Sequence, residues 1–119
     1  MRIKSYKDLI VWQKSIDLAI AIYELTENYP DSEKFGLTSD TRKTTRSISY
    51  NIAEGRYRST RKDFRHFLRI AFASGAELET QIIIAKRLPF GKHLDFSKVD
   101  SILEEVMKML NKMLSTLES

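Results

Sequence analysis

Residues 60–88, TRKDFRHFLRIAFASGAELETQIIIAKRL, decide the fold because they keep one apolar face at helical spacing until Pro89 interrupts the pattern. Thr60 is placed to cap the start of this helix, with Asp63 three positions further on. At about 1.5 Å per residue, the stretch predicts a helix about 43 Å long. Its predicted core face consists of Phe64, Phe67, Leu68, Ala71, Gly75, Leu78, Ile82 and Ala85.

Three further helices are predicted around this one. Helix one covers about residues 6–28 and helix two about residues 38–54, with Gly55 expected to end helix two in a left-handed turn. Helix four starts near its candidate cap Ser97 and carries a heptad seam of apolar residues, which are Val99, Leu103, Val106, Leu110, Met113 and Leu117. Since no stretch alternates apolar and polar residues as a strand would, the sequence predicts an all-α fold. We expect an antiparallel up-down-up-down four-helix bundle that forms one domain over residues 1–119.

Helix one carries two apolar stripes, which suggests burial on two sides. A helix that covers only one core keeps a wider polar face than this one has. The first stripe is expected to face the core and consists of Leu9, Trp12, Ile16, Ala19, Ile20 and Tyr23. The second stripe is expected to form an oligomer interface and consists of Val11, Leu18, Ile22 and Leu25.

Composition removes several classes of function. The chain has no cysteine, which excludes a disulfide framework, thiol catalysis and thiolate-bound metal sites. Its two histidines, His66 and His93, both lack the glutamate three positions earlier that di-metal helical bundles use. The sequence also has no nucleophile elbow and no glycine-rich phosphate loop. We therefore expect no enzyme activity, no catalytic or metal-binding residues and no cofactor.

The predicted compartment is the cytoplasm. No run of 18 or more apolar residues occurs, so no membrane partner is expected. The N-terminal residues 1–8 lack the apolar stretch and the small-residue cleavage site of a signal peptide.

The net charge of +4 hides an uneven distribution. Residues 42–69 hold nine basic and two acidic residues, a net +7, while the rest of the chain carries −3. Basic side chains neutralise phosphates, and arginine does so with two parallel hydrogen bonds, so these nine are the candidate nucleic-acid-binding residues. They are Arg42, Lys43, Arg46, Arg56, Arg58, Arg61, Lys62, Arg65 and Arg69. Tyr50 and Tyr57 are placed to stack on bases beside them.

The same basic residues have a second interpretation, as a solvated face or as partners of nearby acids. Glu104 and Glu105 of helix four, or carboxylates of a neighbouring subunit, are the acids expected in that case. The alternative for the whole chain is a protein-interaction adaptor. Its basic face would dock an acidic or RNA-bound partner, with no direct contact to nucleic acid.

An ordered string of motifs runs from helix one to helix three. It begins with DLIVWQK at 8–14, continues with FGL at 35–37 and NIAEG at 51–55, and closes with ELETQ at 77–81. With these motifs the chain resembles the four-helix-bundle family of 23S rRNA intervening-sequence proteins, also called S23 ribosomal proteins. It is similar as well to the accessory variability protein of diversity-generating retroelements.

The resemblance implies a four-helix protomer that assembles into a homopentameric barrel with a basic surface. It also implies a bacterial origin and nucleic acid as the ligand, with RNA favoured over DNA. Asp40 stands where family patterns often have glutamine, and its charge implies weaker polyanion binding than in relatives. We therefore expect a non-enzymatic homo-oligomer that binds RNA or DNA backbone through the basic face of helices two and three.

Overall fold

Four α-helices make up the chain in the computed structural model, which describes residues 5–118. Two parts of the predicted domain lie outside the described residues, namely residues 1–4 and residue 119. Residues 1–4 are also the first half of the segment that was tested for a signal peptide. The helices are α1 (Ile10–Thr26), α2 (Leu37–Tyr57), α3 (Arg61–Arg87) and α4 (Ser97–Glu118). Short 3₁₀ turns precede α1, α2 and α4 at Tyr6–Asp8, Asp31–Glu33 and Pro89–His93. Since residues 5–118 contain no strand, the predicted all-α class is confirmed.

Each helix packs against two neighbours. Both α2 and α4 contact α1 and α3, so the order around the bundle is α1, α2, α3, α4. The short connections make consecutive helices antiparallel, and the bundle measures 46 × 22 × 22 Å. The α1–α2 pair therefore lies on the opposite face from the α3–α4 pair. We call the end where α2 turns into α3 the α2–α3 end, and the other end the opposite end.

The face of α1 that enters the core is the second apolar stripe. Val11, Leu18, Ile22 and Leu25 are only 3, 0, 0 and 8% exposed. The predicted oligomer interface of these four residues is therefore wrong, because side chains sealed inside one protomer cannot reach another. Most of the stripe expected to face the core is half-buried instead, and its Ile20 is 57% exposed.

Helix α2 continues past the point where it was expected to stop. Gly55 lies inside α2 and is buried, so the predicted left-handed turn at this glycine is wrong. A Cβ at Gly55 would lie 2.8 Å from the Cβ of Phe67 on α3, so the glycine permits a close helix–helix contact there. The positive φ of this connection, 69°, belongs to Ser59.

Hydroxyl groups complete the core where α2 has few apolar residues. Ile48 and Ile52 are fully buried, and several threonines and Ser49 are buried with them. Ser49 shares a 2.9 Å hydrogen bond with Ser15 of α1. On the other side of α2, the Gln81 amide of α3 donates to the Thr44 hydroxyl at 3.0 Å. These bonds cross both seams of α2 and satisfy polar groups that burial would otherwise leave unpaired.

The predicted start of α3 and the seam of α4 are largely confirmed. The Thr60 hydroxyl caps α3 by accepting the backbone N–H of Asp63 at 3.0 Å. The α4 seam is buried up to Leu110, after which Leu114 replaces the predicted Met113, since a straight helix drifts away from a seven-residue repeat. Ser97 is the first residue of α4, and the Asp95 carboxylate accepts its backbone N–H at 2.9 Å.

Candidate nucleic-acid interface

The basic residues in the middle of α2 are tied to α1. The Arg42 guanidinium donates from Nε to Thr26 Oγ1 at 2.8 Å and from Nη2 to the Tyr23 carbonyl at 3.3 Å. It also reaches Glu27 at 3.1 Å and lies 4.6 Å above the Tyr23 ring. Arg46 donates to the Tyr23 hydroxyl at 2.5 Å. Both arginines are half-buried, so their main contacts join α1 to α2.

Three basic residues near the α2–α3 end have partners as well. Arg58 pairs with Glu54 at 3.0 Å and lies 5.0 Å from the Phe67 ring centroid. Arg61 donates to the carbonyls of Thr116 and Leu117 at 3.1 and 3.2 Å and so satisfies the end of α4. Arg69 forms an ion pair with Glu118.

Lys62, Arg65 and Arg69 follow one another at helical spacing on α3 and form a basic stripe. The acids expected to neutralise this basic stripe pair elsewhere. Glu104 binds Lys108 at 3.0 Å, and Glu105 binds Lys14 of α1 at 3.2 Å. The prediction that these two glutamates bind the stripe is therefore wrong within the protomer. The stripe on α3 keeps most of its positive charge.

Four side chains on one face of α3 converge on a shallow depression of about 300 Å³, formed by Lys62, Arg65, His66 and Arg69. We call these four residues the α3 basic cluster. Lys62 is exposed and Arg65 is half-buried, and neither forms an ion pair within the part of the chain that the structure describes. His66 is absent from the predicted set, although its position four residues after Lys62 on a helix could have placed it there.

The position of the cluster is unfavourable for the helix that carries it. Lys62 and Arg65 lie in the first two turns of α3, next to the positive end of the helix dipole, where carboxylates are preferred. Arg61 lies in the same turn, but its hydrogen bonds to the end of α4 offset the unfavourable position of its charge. The charge of Lys62 in the first turn therefore does not stabilise the start of α3.

Aromatic and hydroxyl groups extend the basic surface around the α2–α3 end. Tyr57 is 78% exposed and lies on the rim of a second depression of about 360 Å³. Lys7 and Arg56 line the same depression, together with Ser5, Tyr6 and Ser59. Tyr50, two turns earlier on the same face of α2, is 64% exposed. Lys43 is exposed on α2, between the two arginines that bind α1.

Two groups with displaced pKa values lie at the opposite end. Hydrogen bonds from Ser97 lower the pKa of Asp95. Burial raises the pKa of Tyr29 to about 12. Both positions belong to helix connections, so these shifts concern folding and do not contribute to the basic surface.

Within residues 5–118, no three or more acidic or histidine side chains lie close enough together to hold a metal ion. None of the helices in the described part of the chain combines the length and apolar character required to cross a bilayer.

Comparisons with known proteins identify relatives of the fold. The family model of the 23S rRNA-intervening sequence proteins matches residues 7–112. A crystal structure of a protein of unknown function from the S23 ribosomal protein family of Bacteroides thetaiotaomicron VPI-5482 is similar to this chain, with a TM-score of 0.72 and 24% identity. The match covers 88% of this chain and 98% of that one, and at this identity it shows the fold alone. No curated protein matches the chain.

Proposed function

The chain belongs to the family of 23S rRNA-intervening sequence proteins, a family of unknown function, and on this premise we propose that it binds RNA backbone through the α3 basic cluster. In this proposal the protein is a non-enzymatic homo-oligomer, a pentamer by resemblance to its family. The nine candidate residues divide into those that hold the bundle together and those that reach a ligand. The ligand-binding set is centred on Lys62, Arg65, His66 and Arg69.

The observation that carries the proposal is the convergence of Lys62 and Arg65 on one depression without an acidic partner among the described residues. Guanidinium and ammonium groups that face solvent are available to replace the counterions of a phosphate chain. Arg65 can donate two parallel hydrogen bonds to one phosphate, whereas Lys62 acts as a point charge. Such contacts bind nucleic acid with little dependence on sequence and with strong dependence on salt.

Exposed aromatic rings support a single-stranded ligand. Tyr57 and Tyr50 expose 78 and 64% of their surface on α2, close to the end that carries the cluster. Base stacking on such rings tolerates any sequence and contributes about 1–3 kcal/mol per base. The preference for RNA over DNA rests on the family description alone.

Exposed apolar side chains support the oligomer. On α1, Ile10 and Ile20 are 62 and 57% exposed, and on α3, Ile83 and Ile84 are 44 and 47% exposed. Apolar side chains on opposite faces of a protomer are expected where each copy contacts two neighbours. A ring of parallel protomers would place their α3 basic clusters at one end, where a single RNA chain could contact several of them.

The proposal is tested with a double variant and a control of equal charge. Lys62→Ala combined with Arg65→Ala is expected to weaken binding of a single-stranded RNA about tenfold or more near 0.1 M salt. The slope of log affinity against log salt should fall by about 1.4, since two phosphate contacts are lost. Binding is measured by fluorescence anisotropy at several salt concentrations.

The control removes the same charge from the opposite end of the bundle through Arg87→Ala and Lys92→Ala, both at exposed positions. This variant is expected to keep its affinity within about twofold if the position of the charge matters. Equal losses of RNA affinity in both variants would mean that only the net charge matters, and would reject the α3 basic cluster as the binding site. Absence of RNA binding by the purified wild-type protein would overturn the proposal and favour the adaptor.

A further inference from the structure

A single aromatic side chain projects from the connection between α1 and α2. Phe35 is 90% exposed, and the only described ring contact it makes is with the Lys34 ammonium, 5.6 Å from its centroid. Burying such a ring stabilises a protein by about 1.5–3 kcal/mol, so its exposure forgoes a large contribution. We call Lys34 and Phe35 the tip.

The tip is held rigidly by the backbone around it. The Lys34 N–H donates to the Asp31 carbonyl at 3.0 Å, and the Gly36 N–H donates to the Glu33 carbonyl at 3.0 Å. The Glu33 carboxylate accepts the N–H of Leu37, the first residue of α2, at 3.0 Å. Since the connection is already ordered, docking Phe35 elsewhere would cost little additional conformational entropy.

A matching recess lies between α3 and α4. It is a groove of about 620 Å³ whose apolar lining includes Phe72, Ile83, Leu103 and Met107. α3 and α4 approach closely at Gly75, where a Cβ would overlap the Met107 sulfur.

The charges along the rim of the groove leave one acid without a partner. Lys86 pairs with Asp100 at 2.6 Å, and Lys108 pairs with Glu104 at 3.0 Å. Glu79, which also lines the groove, has no ion-pair partner within residues 5–118. The groove therefore offers an apolar floor beside one negative charge, and the tip offers an aromatic ring beside one positive charge.

The tip cannot reach the groove of its own chain. The α1–α2 connection and the α3–α4 groove lie on opposite faces of a bundle that is 22 Å across. The tip and the groove nevertheless lie at a similar level along the bundle axis. Phe35 lies at the opposite end, and the groove extends along α3 to Lys86, which is next to that end. A neighbour related by rotation about an axis parallel to the bundle presents its groove at the height of the tip.

We propose that the tip of one copy of this chain docks in the α3–α4 groove of the next, with Phe35 on the apolar floor and Lys34 facing Glu79. This inference rests on the proposed homo-oligomer and names the surfaces that form it. Because tip and groove lie on different faces of each copy, the contact is heterologous, and repeating it gives a closed ring or an open filament.

Complementary variants provide the first test. Phe35→Ala removes the tip, and Ile83→Arg places a charge in the groove, so each variant alone is expected to dissociate to monomers at concentrations where the wild type is assembled. We expect the dissociation constant to rise about 30-fold or more in either case. A mixture should form one-to-one heterodimers and nothing larger, because one partner keeps only a groove and the other keeps only a tip.

The matched control is Thr80→Arg, which adds the same charge at an exposed position on α3 outside the groove lining. It is expected to stay oligomeric. Masses are measured by light scattering, and circular dichroism checks that each variant is folded.

Disulfide cross-linking provides the second test, since the natural chain contains no cysteine. Lys34→Cys mixed with Glu79→Cys is expected to give cross-linked dimers on oxidation, and the double variant should give a ladder or a closed set of higher bands. Lys34→Cys mixed with Asp17→Cys, which is exposed on α1, is the control and should give no such product.

The outcomes separate this inference from the proposal beneath it. A wild-type monomer at micromolar concentration overturns the homo-oligomer and this contact together, while the RNA-binding test stands on its own. A wild-type oligomer that survives Phe35→Ala or Ile83→Arg overturns the tip-and-groove contact alone. Assembly that fails only in these variants, with cross-links between residues 34 and 79, supports it.

Discussion

Two groups of cations, which look alike in the sequence, differ in what holds them. On α2, Arg42 and Arg46 are half-buried and bonded to Tyr23 and its neighbours on α1. On α3, Lys62 and Arg65 share a depression and have no acidic partner among the described residues. Contacts within the protein therefore separate the basic segment into two groups. An arginine whose guanidinium N–H groups are already bonded within the protein has few of them left to bind a phosphate.

The largest expected effect concerns the internal group. Arg42→Ala should lower the free energy of unfolding by about 3 kcal/mol, because it leaves the Thr26 hydroxyl and the Tyr23 carbonyl without this partner and removes a cation from the Tyr23 ring. The exposed pair with Glu27 contributes little to that figure. Urea denaturation followed by circular dichroism measures the loss.

The same variant sharpens the comparison through binding. RNA affinity of Arg42→Ala, measured well below its unfolding midpoint, should stay within about twofold of the wild type. Arg42→Lys, which keeps the charge but loses the planar fork, should recover only part of the stability. The comparison breaks if Arg42→Ala leaves stability unchanged and weakens RNA binding as much as Lys62→Ala with Arg65→Ala.

The second prediction extends the internal side of the comparison to a neutral group. Tyr29 is 7% exposed, packs 4.9 Å from the Phe90 ring centroid, and its hydroxyl has no hydrogen-bond partner among the described residues. Burial raises its pKa to about 12 from the ordinary value of 10.0. Below pH 10 the phenol is protonated in both folded and unfolded chains, so its contribution to stability is fully present there.

Between pH 10 and pH 12 only the unfolded chain releases this proton, so stability falls as pH rises through that window. The difference between a pKa of 10.0 in the unfolded chain and about 12 in the folded chain corresponds to about 3 kcal/mol of stability, and about 2 kcal/mol of it should be lost by pH 12. Alkaline unfolding in urea measures the slope. The Tyr29→Phe variant should lack this part of the slope and lose almost nothing at pH 7, and a slope unchanged by Tyr29→Phe would assign the effect to another group.

Much of the fold follows from the sequence, because helix periodicity and breakers are local signals. The Thr60 cap and the uninterrupted face of α3 needed nothing beyond residues 60–88. The orientation of α1 did not follow, since both of its stripes are apolar and periodicity cannot choose between them. The end of α2 was missed because Gly55 meets Phe67, a contact that exists only once α3 has folded back.

The sequence predicted nine candidate binding residues, and the structure reduces this set because it shows which of them bond within the protein. Residue type and spacing placed the stripe on α3, and the helix keeps it on one face. Which cations are already bound depends on side chains distant in the sequence, such as Tyr23 for Arg46 and Glu118 for Arg69. No local pattern carries that information, so the division between the two groups required the fold.

The third prediction loosens the internal group without deleting a cation. Tyr23→Phe removes the hydroxyl that accepts from Arg46 and keeps the ring beneath Arg42. Stability should fall by about 1 kcal/mol, the usual size for one such hydrogen bond. Since Arg46 is then released towards solvent, we expect RNA affinity in anisotropy titrations not to fall. A loss of affinity would mean that the Tyr23–Arg46 pair itself contacts the ligand.

The smallest expected effect has the opposite sign and tests the external group. Lys62→Ala removes an exposed cation from the positive end of α3, so the free energy of unfolding should rise by about 0.3–0.5 kcal/mol. The same substitution is expected to weaken RNA binding several-fold, in line with the loss of one phosphate contact.

Arg61→Ala is the informative neighbour, because its bonds to the end of α4 predict a loss of stability from the same helical turn. Thermal and urea unfolding of the two variants, in low and high salt, show whether each substitution raises or lowers the free energy of unfolding. If Lys62→Ala destabilised the bundle as Arg61→Ala does, Lys62 would have a structural role and the division between internal and external cations would fail at its most exposed member.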